Sequence, residues 1–120
     1  MRRRRQDAHR ELYSGLIRLH ILYHACQEPI FGLAMIWELE RHGYCLSPGT
    51  MYPLLHGLER RGLLRSKRGR IPNARRMYRA TPAGRAALRV AKDKVQELFS
   101  ELFDDVILAA HAASSKRKVS

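Results

Sequence analysis

Thr50, Tyr52, Pro53, His56 and Arg60 are the residues of this 120-residue chain whose types and spacing best suit chemistry. The chemistry they suit is recognition rather than bond making. They alternate with Met51, Leu54, Leu55 and Leu58, which recur at i, i+3, i+4 and i+7 and mark one apolar helical face. A hydroxyl, a phenol, an imidazole and a guanidinium are left for the opposite face, where they suit a DNA groove better than an active site. Ser47 stands at the N-cap, Pro48 at the first helical position and Gly62 at the stop, so the spacing predicts a helix over 48–61. Its first turn, with Ser47 and Gly49, leaves backbone N–H groups free to attract phosphate. Pro53 cannot donate to the carbonyl of Gly49. That omission costs about 3 kcal/mol in a helix interior and less near the first turn, where a bend would tilt Thr50 and Tyr52 outward. The plain alternative is that Thr50, Tyr52 and His56 are surface residues without a role.

A crowd of cations follows. Arg60, Arg65, Lys67 and Arg68 precede a Gly69-Arg70-Ile71-Pro72-Asn73 turn, and Arg75, Arg76 and Arg79 follow it. Such density of one sign repels itself unless a polyanion neutralises it. The group would lie along a phosphate backbone or enter a minor groove, with Arg70 at the tip. Most of these residues would bind phosphate and carry little sequence information. The whole chain agrees: 23 basic against 11 acidic residues give a formal net charge of +12. A polyanionic partner is implied, nucleic acid first and an anionic membrane surface second. No apolar run approaches the roughly 18 residues of a membrane span, and no secretory signal follows the opening arginines, which favours nucleic acid and a cytoplasmic location.

Other chemistry is weaker. His20 and His24 share a helix face, and Cys26, His42 and Cys45 fall near them in the predicted fold. Spacing of this kind is thin support for a metal or thiol sensor, so no metal ligands and no cofactor are assigned from it. Two cysteines far apart read as free thiols in a reducing compartment. Neither a nucleophile elbow nor a phosphate loop nor a metalloprotease motif is present, and no carboxylate pair stands apart from the solvated acids, so the chain does not read as an enzyme.

The elements that must position these groups follow from periodicity. Residues 1–6, with Arg2 to Arg5, read as a basic disordered arm. A first helix runs from about residue 7 to 25. Leu12, Leu16, Leu19 and Tyr23 make one stripe of it, with Ile17, Ile21 and Leu22 beside them, so it should face both its own domain and a partner. A second helix covers 31–41 and stops at Gly43. Strands over 63–68 and 75–80 make a hairpin. Thr81 caps a fourth helix with Pro82 at N1, and it runs to about residue 110. Leu88, Val95, Leu98, Leu102 and Val106 follow helical spacing along it, and Phe99 and Phe103 widen the stripe. So long an apolar face exceeds what a small core can cover, and a second subunit should bury part of it. Core or dimer packing is also the plainer reading of Phe99 and Phe103 than a ligand pocket. Arg10 and Arg18 are expected to meet Glu97, Glu101, Asp104 or Asp105 of the partner. The fold class is thus mainly α with a small β-hairpin: a winged helix-turn-helix over 7–80, a dimerisation helix over 81–112 and a polar tail over 113–120.

The run LSPGTMYPLLHGLERRGLL, with YRATPAGRAAL after it, resembles the PadR family of winged-helix transcriptional regulators from about Gly15 to Leu102. The resemblance implies the compact form of that family, in which the last helix and the first make a two-fold dimer. It also implies a small-molecule effector between the long helices. Two departures weaken the latter. The last helix lacks the tryptophan that stacks on ligand in some members, since Trp37 falls in the second helix. The usual His-Gly-Tyr is here Phe31-Gly32-Leu33. The reading is a sequence-specific transcriptional regulator, a repressor that binds a near-palindromic operator in double-stranded DNA as a homodimer. A non-specific or architectural nucleic-acid-binding protein is the main alternative. A helical protein whose basic face serves an acidic protein is a third.

Overall fold

Arginine, leucine and alanine are good helix formers, and from residue 2 to residue 27 nothing breaks the run until Glu28-Pro29. The computed structural model accordingly places α1 at Arg2–Gln27. It describes residues 2–69 and 75–104, with side chains from His9 onward. The basic segment expected to be a free arm is therefore helical backbone, because arginine favours a helix and no capping residue delays its start. The rest follows in order: β1 (Ile30–Phe31), α2 (Gly32–Arg41), α3 (Pro48–Arg60), β2 (Leu64–Lys67), β3 (Met77–Ala80) and α4 (Pro82–Leu102). The two longer strands are shorter than expected, and β1 was not expected at all.

All strands pair antiparallel in the order β1-β3-β2. Ile30 faces Tyr78 and Phe31 faces Met77 on one side of β3, while Leu64 to Lys67 run against Ala80 to Met77 on the other. Inward residues Ile30, Leu64, Tyr78 and Ala80 join a core of Ile17, Ile21, Leu22 and Ala25 from α1, Met35 and Leu39 from α2, and Met51, Leu55 and Leu58 from α3. The buried stripe of α1 is thus Ile17-Ile21-Leu22-Ala25. Leu12, Leu16 and Tyr23 of the other stripe stay exposed, and Leu19 is half-buried against the core.

Both helices of the helix-turn-helix end in the same way. Gly43 (φ 88°) and Gly62 (φ 78°) occupy the left-handed region that L residues avoid. Gly43 donates to Glu40 O and Tyr44 to Leu39 O, while Gly62 donates to Glu59 O and Leu63 to Leu58 O. Each pair is a Schellman closure, and each folds the following apolar residue back onto the helix it ends.

Thr81 caps α4 as expected: its hydroxyl accepts from Gly84 N at 3.0 Å and donates to Gly62 O at 2.5 Å. A Cβ on Gly84 would collide with the carbonyl oxygen of Leu63, which Thr81 N–H already engages at 3.1 Å. Gly84 and Leu88 are buried, so the first two turns of α4 belong to the winged domain. The compact unit closes at Leu88, and residues from Arg89 onward form a second unit. The first unit extends into α4 because Gly84 and Leu88 pack inward. Leu88, expected at a dimer interface, is a core residue. In the second unit Val95, Leu98, Phe99, Leu102 and Phe103 are all exposed, with Phe99 and Phe103 ring centroids 4.7 Å apart. Helical hydrogen bonding is described as far as Phe103, whose N–H donates to Phe99 O. Val106, the rest of the expected helix and the polar tail lie outside the described residues, as does the Arg70 turn.

Candidate nucleic-acid interface

Ser47 has the extended backbone of an N-cap (φ −86°, ψ 163°), and its carbonyl accepts from Thr50 N and Met51 N. Its side chain does not cap the helix. The hydroxyl lies 3.4 Å from the Thr50 hydroxyl instead. Arg10, reaching across from α1, donates to Thr50 Oγ1 at 3.3 Å and to the Cys45 carbonyl at 3.5 Å. One expectation changes with this: Thr50 is half-buried and already hydrogen-bonded, so it is less outward than helical spacing suggests. Arg10, expected to meet an acid of a partner, also serves the start of α3 in its own chain.

Tyr52 is 40% exposed, with its ring over the first residue of α2. A Cβ on Gly32 would come within 2.7 Å of Tyr52 Cε1 and 2.9 Å of Cζ, so only glycine leaves the ring its place. His56, one turn on, is exposed, and its ring centroid lies 6.5 Å from that of Tyr52. Gly49, Pro53 and Arg60 are exposed as well. The helix continues through Pro53, one turn past its start, where the missing N–H disturbs it least. Tyr52 and His56 are therefore the two ring side chains that α3 presents together.

The wing is fastened to α3 by Glu59. Its carboxylate accepts the Ser66 backbone N–H at 2.7 Å, and Arg76 donates to the Ser66 hydroxyl at 2.9 Å. The hydrogen bonds from Ser66 hold Glu59 below the usual carboxylate range against the opposing effect of burial, with smaller help from Arg76 and His56. Arg76 thus has a structural task in addition to any on phosphate. Sequence reasoning missed Glu59 and Arg10. A single acid between Leu58 and two arginines was the one available signal for the first, and nothing in local pattern announces the second.

Alternation in β2 and β3 turns the remaining cations to one side. Leu64, Tyr78 and Ala80 are buried, while Arg65, Lys67 and Arg79 are exposed. Arg65 sits directly opposite Arg79 in the register. Like charges in that relation destabilise a hairpin, and among the described residues neither arginine has an ion-pair partner. Arg68 and Arg75 are exposed at the ends of the strands.

Residues 21–90 match the model of the "Transcriptional regulator PadR-like family". Transcriptional regulator Rv3488 of Mycobacterium tuberculosis is 50% identical over 94 residues, spanning 78% of this chain and 88% of that protein. The crystal structure of a PadR family transcriptional regulator from Eggerthella lenta superposes with a TM-score of 0.69 at 30% identity, covering 78% of this chain and 84% of that one. A PadR-like transcriptional regulator from Bacillus cereus gives a TM-score of 0.69 at 25% identity, over 78% and 94% of the two chains.

Proposed function

The chain belongs to the PadR-like family of transcriptional regulators, and from that premise we propose that it is a repressor that binds a near-palindromic operator as a homodimer. Members of this family regulate transcription and are not enzymes, so function must lie in contacts with DNA. The observation that carries the reading is the wing: Arg65 and Arg79 stand opposite each other across two strands, without an ion-pair partner among the described residues, on the sheet face away from the core. A phosphate backbone is the partner that relieves this repulsion.

In this reading α3 lies in the major groove with Tyr52 and His56 toward base edges. Thr50, held by Arg10 and facing Ser47, belongs with Gly49 to the phosphate-facing first turn. Arg60, Lys67, Arg68, Arg70 and Arg75 supply affinity along the backbone. Glu59 keeps the wing at a fixed angle to α3, so phosphate contacts on the wing set the register of the reading helix. A two-fold axis would place the two helices in half-sites about 10 base pairs apart, centre to centre.

Selection of bound duplex from a random library with the purified protein tests the reading. A palindromic consensus favoured over random duplex by about 10³ or more is expected. A ratio near one would make the protein architectural, and no binding at physiological salt would favour an acidic protein partner. Arg65→Gln and Arg79→Gln should weaken specific and random duplex alike and each lower the salt slope by about 1. Tyr52→Ala should weaken the operator more than random DNA, and equal loss on both would overturn its role in selectivity.

A further inference from the structure

Three imidazoles meet where α1 passes the end of α2, a place the DNA-binding reading does not use. His20 and His24 lie one helical turn apart on α1, and His42 is the C-cap of α2. One ring nitrogen from each lies within 4.8 Å of the others. The rings of His20 and His42 stack with centroids 4.9 Å apart. Glu38, one turn before His42, turns a single oxygen toward them: Oε1 is 3.7 Å from His24 Nε2 and 3.4 Å from His42 Nε2. Its other oxygen accepts from Arg41 at 3.1 Å, which fixes the carboxylate with Oε1 facing the imidazoles.

We propose that His20, His24 and His42 form a binding site for a divalent transition-metal ion of the zinc class, with Glu38 Oε1 orienting the His24 and His42 rings. Two histidines four apart on a helix point the same way, the spacing that serves metal in helical zinc sites. The third histidine comes from a second helix, so the set closes around a point rather than lying along a face. Tetrahedral coordination with metal–nitrogen bonds of about 2.0–2.1 Å places ligand atoms about 3.3 Å apart. The widest histidine pair must therefore close by up to about 1.5 Å, which side-chain rotation supplies, since His24 is about one quarter exposed and His42 nearly half. Burial, then the nearby His42 and His24, push the His20 imidazole below its usual value, and Glu38 opposes them only in part. Cys26 and Cys45, the soft ligands suggested by sequence, are not members of the cluster.

The site also lies close to the reading helix. Only Gly43 to Leu46 separate His42 from Ser47, and the Tyr44 ring packs edge-on against His20 at 5.5 Å. An ion at this point pins the link through which α2 leads into α3.

The test needs no DNA and is independent of the proposed operator binding. Full-length protein stripped with chelator is titrated with Co²⁺ while its visible absorption is followed. One ion per chain with tetrahedral d–d bands, displaced by Zn²⁺, is expected. His24→Gln and His42→Gln should each weaken Co²⁺ binding about 100-fold or more, and Glu38→Gln about 10-fold. Cys26→Ser should bind as the parent does. Thermal melts of the metal-free variants check that each is folded, and Zn²⁺ should raise the melting temperature of the parent but not of His24→Gln. Absence of saturable binding overturns the site, as does unchanged affinity in the folded histidine variants or loss of binding in Cys26→Ser.

Discussion

Gly32 and Gly84 look alike in the sequence, each near the start of a helix, yet what surrounds them predicts opposite consequences for the same substitution. At Gly32 the added Cβ would meet the ring of Tyr52, the outer part of a side chain that is 40% exposed and can swing away. At Gly84 it would meet the Leu63 carbonyl, which is backbone and is held by Thr81. Gly32→Ala should change stability by less than about 1 kcal/mol, because alanine suits a helix better and offsets the displaced ring. It should still lower operator affinity by moving Tyr52. Gly84→Ala should cost about 1–3 kcal/mol in chemical denaturation, the range for overpacking a filled site. Equal losses of stability would contradict the contrast. The outward set Tyr52 and His56 was legible from helical spacing alone, because spacing decides which residues cannot face the core. That Thr50 is tied to Arg10, forty residues earlier, was not legible, because local pattern carries no information on contacts so distant in sequence.

Among the elements, the helices were legible for a physical reason: periodic apolar residues, prolines at first positions and glycines at left-handed stops each constrain the backbone locally. The two-residue strand β1 gave no such signal, since two residues cannot display alternation and Phe31 also serves as the N-cap of α2. The hydrogen bond by which Glu59 of α3 holds Ser66 of the wing was equally hidden. Glu59→Gln keeps the shape and loses the charge on the acceptor, so it should destabilise the domain by about 1 kcal/mol, the value for a partly exposed charge-assisted hydrogen bond. The pH dependence has a definite sign. Glu59 is held below its usual value in the folded state, so its contribution is complete above the unfolded value and is lost as pH falls through the folded one. The gap in stability between parent and Glu59→Gln should therefore be full at pH 7 and shrink below about pH 4. A gap that stays constant across the acid range would show that the charge on Glu59 does not hold the wing.

For the whole molecule, the balance to judge is whether the exposed apolar residues of the second unit can hold two subunits together. Leu98, Phe99, Leu102 and Phe103 are on average about half exposed, so covering what remains of them in both chains would contribute at most about 6–12 kcal/mol per dimer, at 1.5–3 kcal/mol for each fully exposed side chain. Association costs an estimated 4–15 kcal/mol, so these four residues alone leave the outcome close to even. The proposed dimer accordingly also uses the exposed Leu12 and Leu16 of α1. A balance this narrow makes the assembly sensitive to one buried charge. Phe99→Asp should yield a monomer at micromolar concentration in sedimentation, and the parent a dimer whose melting temperature rises with protein concentration. Two reading helices joined in one dimer bind a two-half-site operator with an advantage of about 10²–10⁴ over separate ones. Phe99→Asp should forfeit that advantage on the full operator. It should leave binding to a duplex with one half-site unchanged, because α3 and the wing lie in the compact unit that closes at Leu88. Loss on both duplexes alike would mean that the wing and reading helix depend on the dimer for their own structure. A Phe99→Asp protein that remained dimeric would place the interface away from this face of α4.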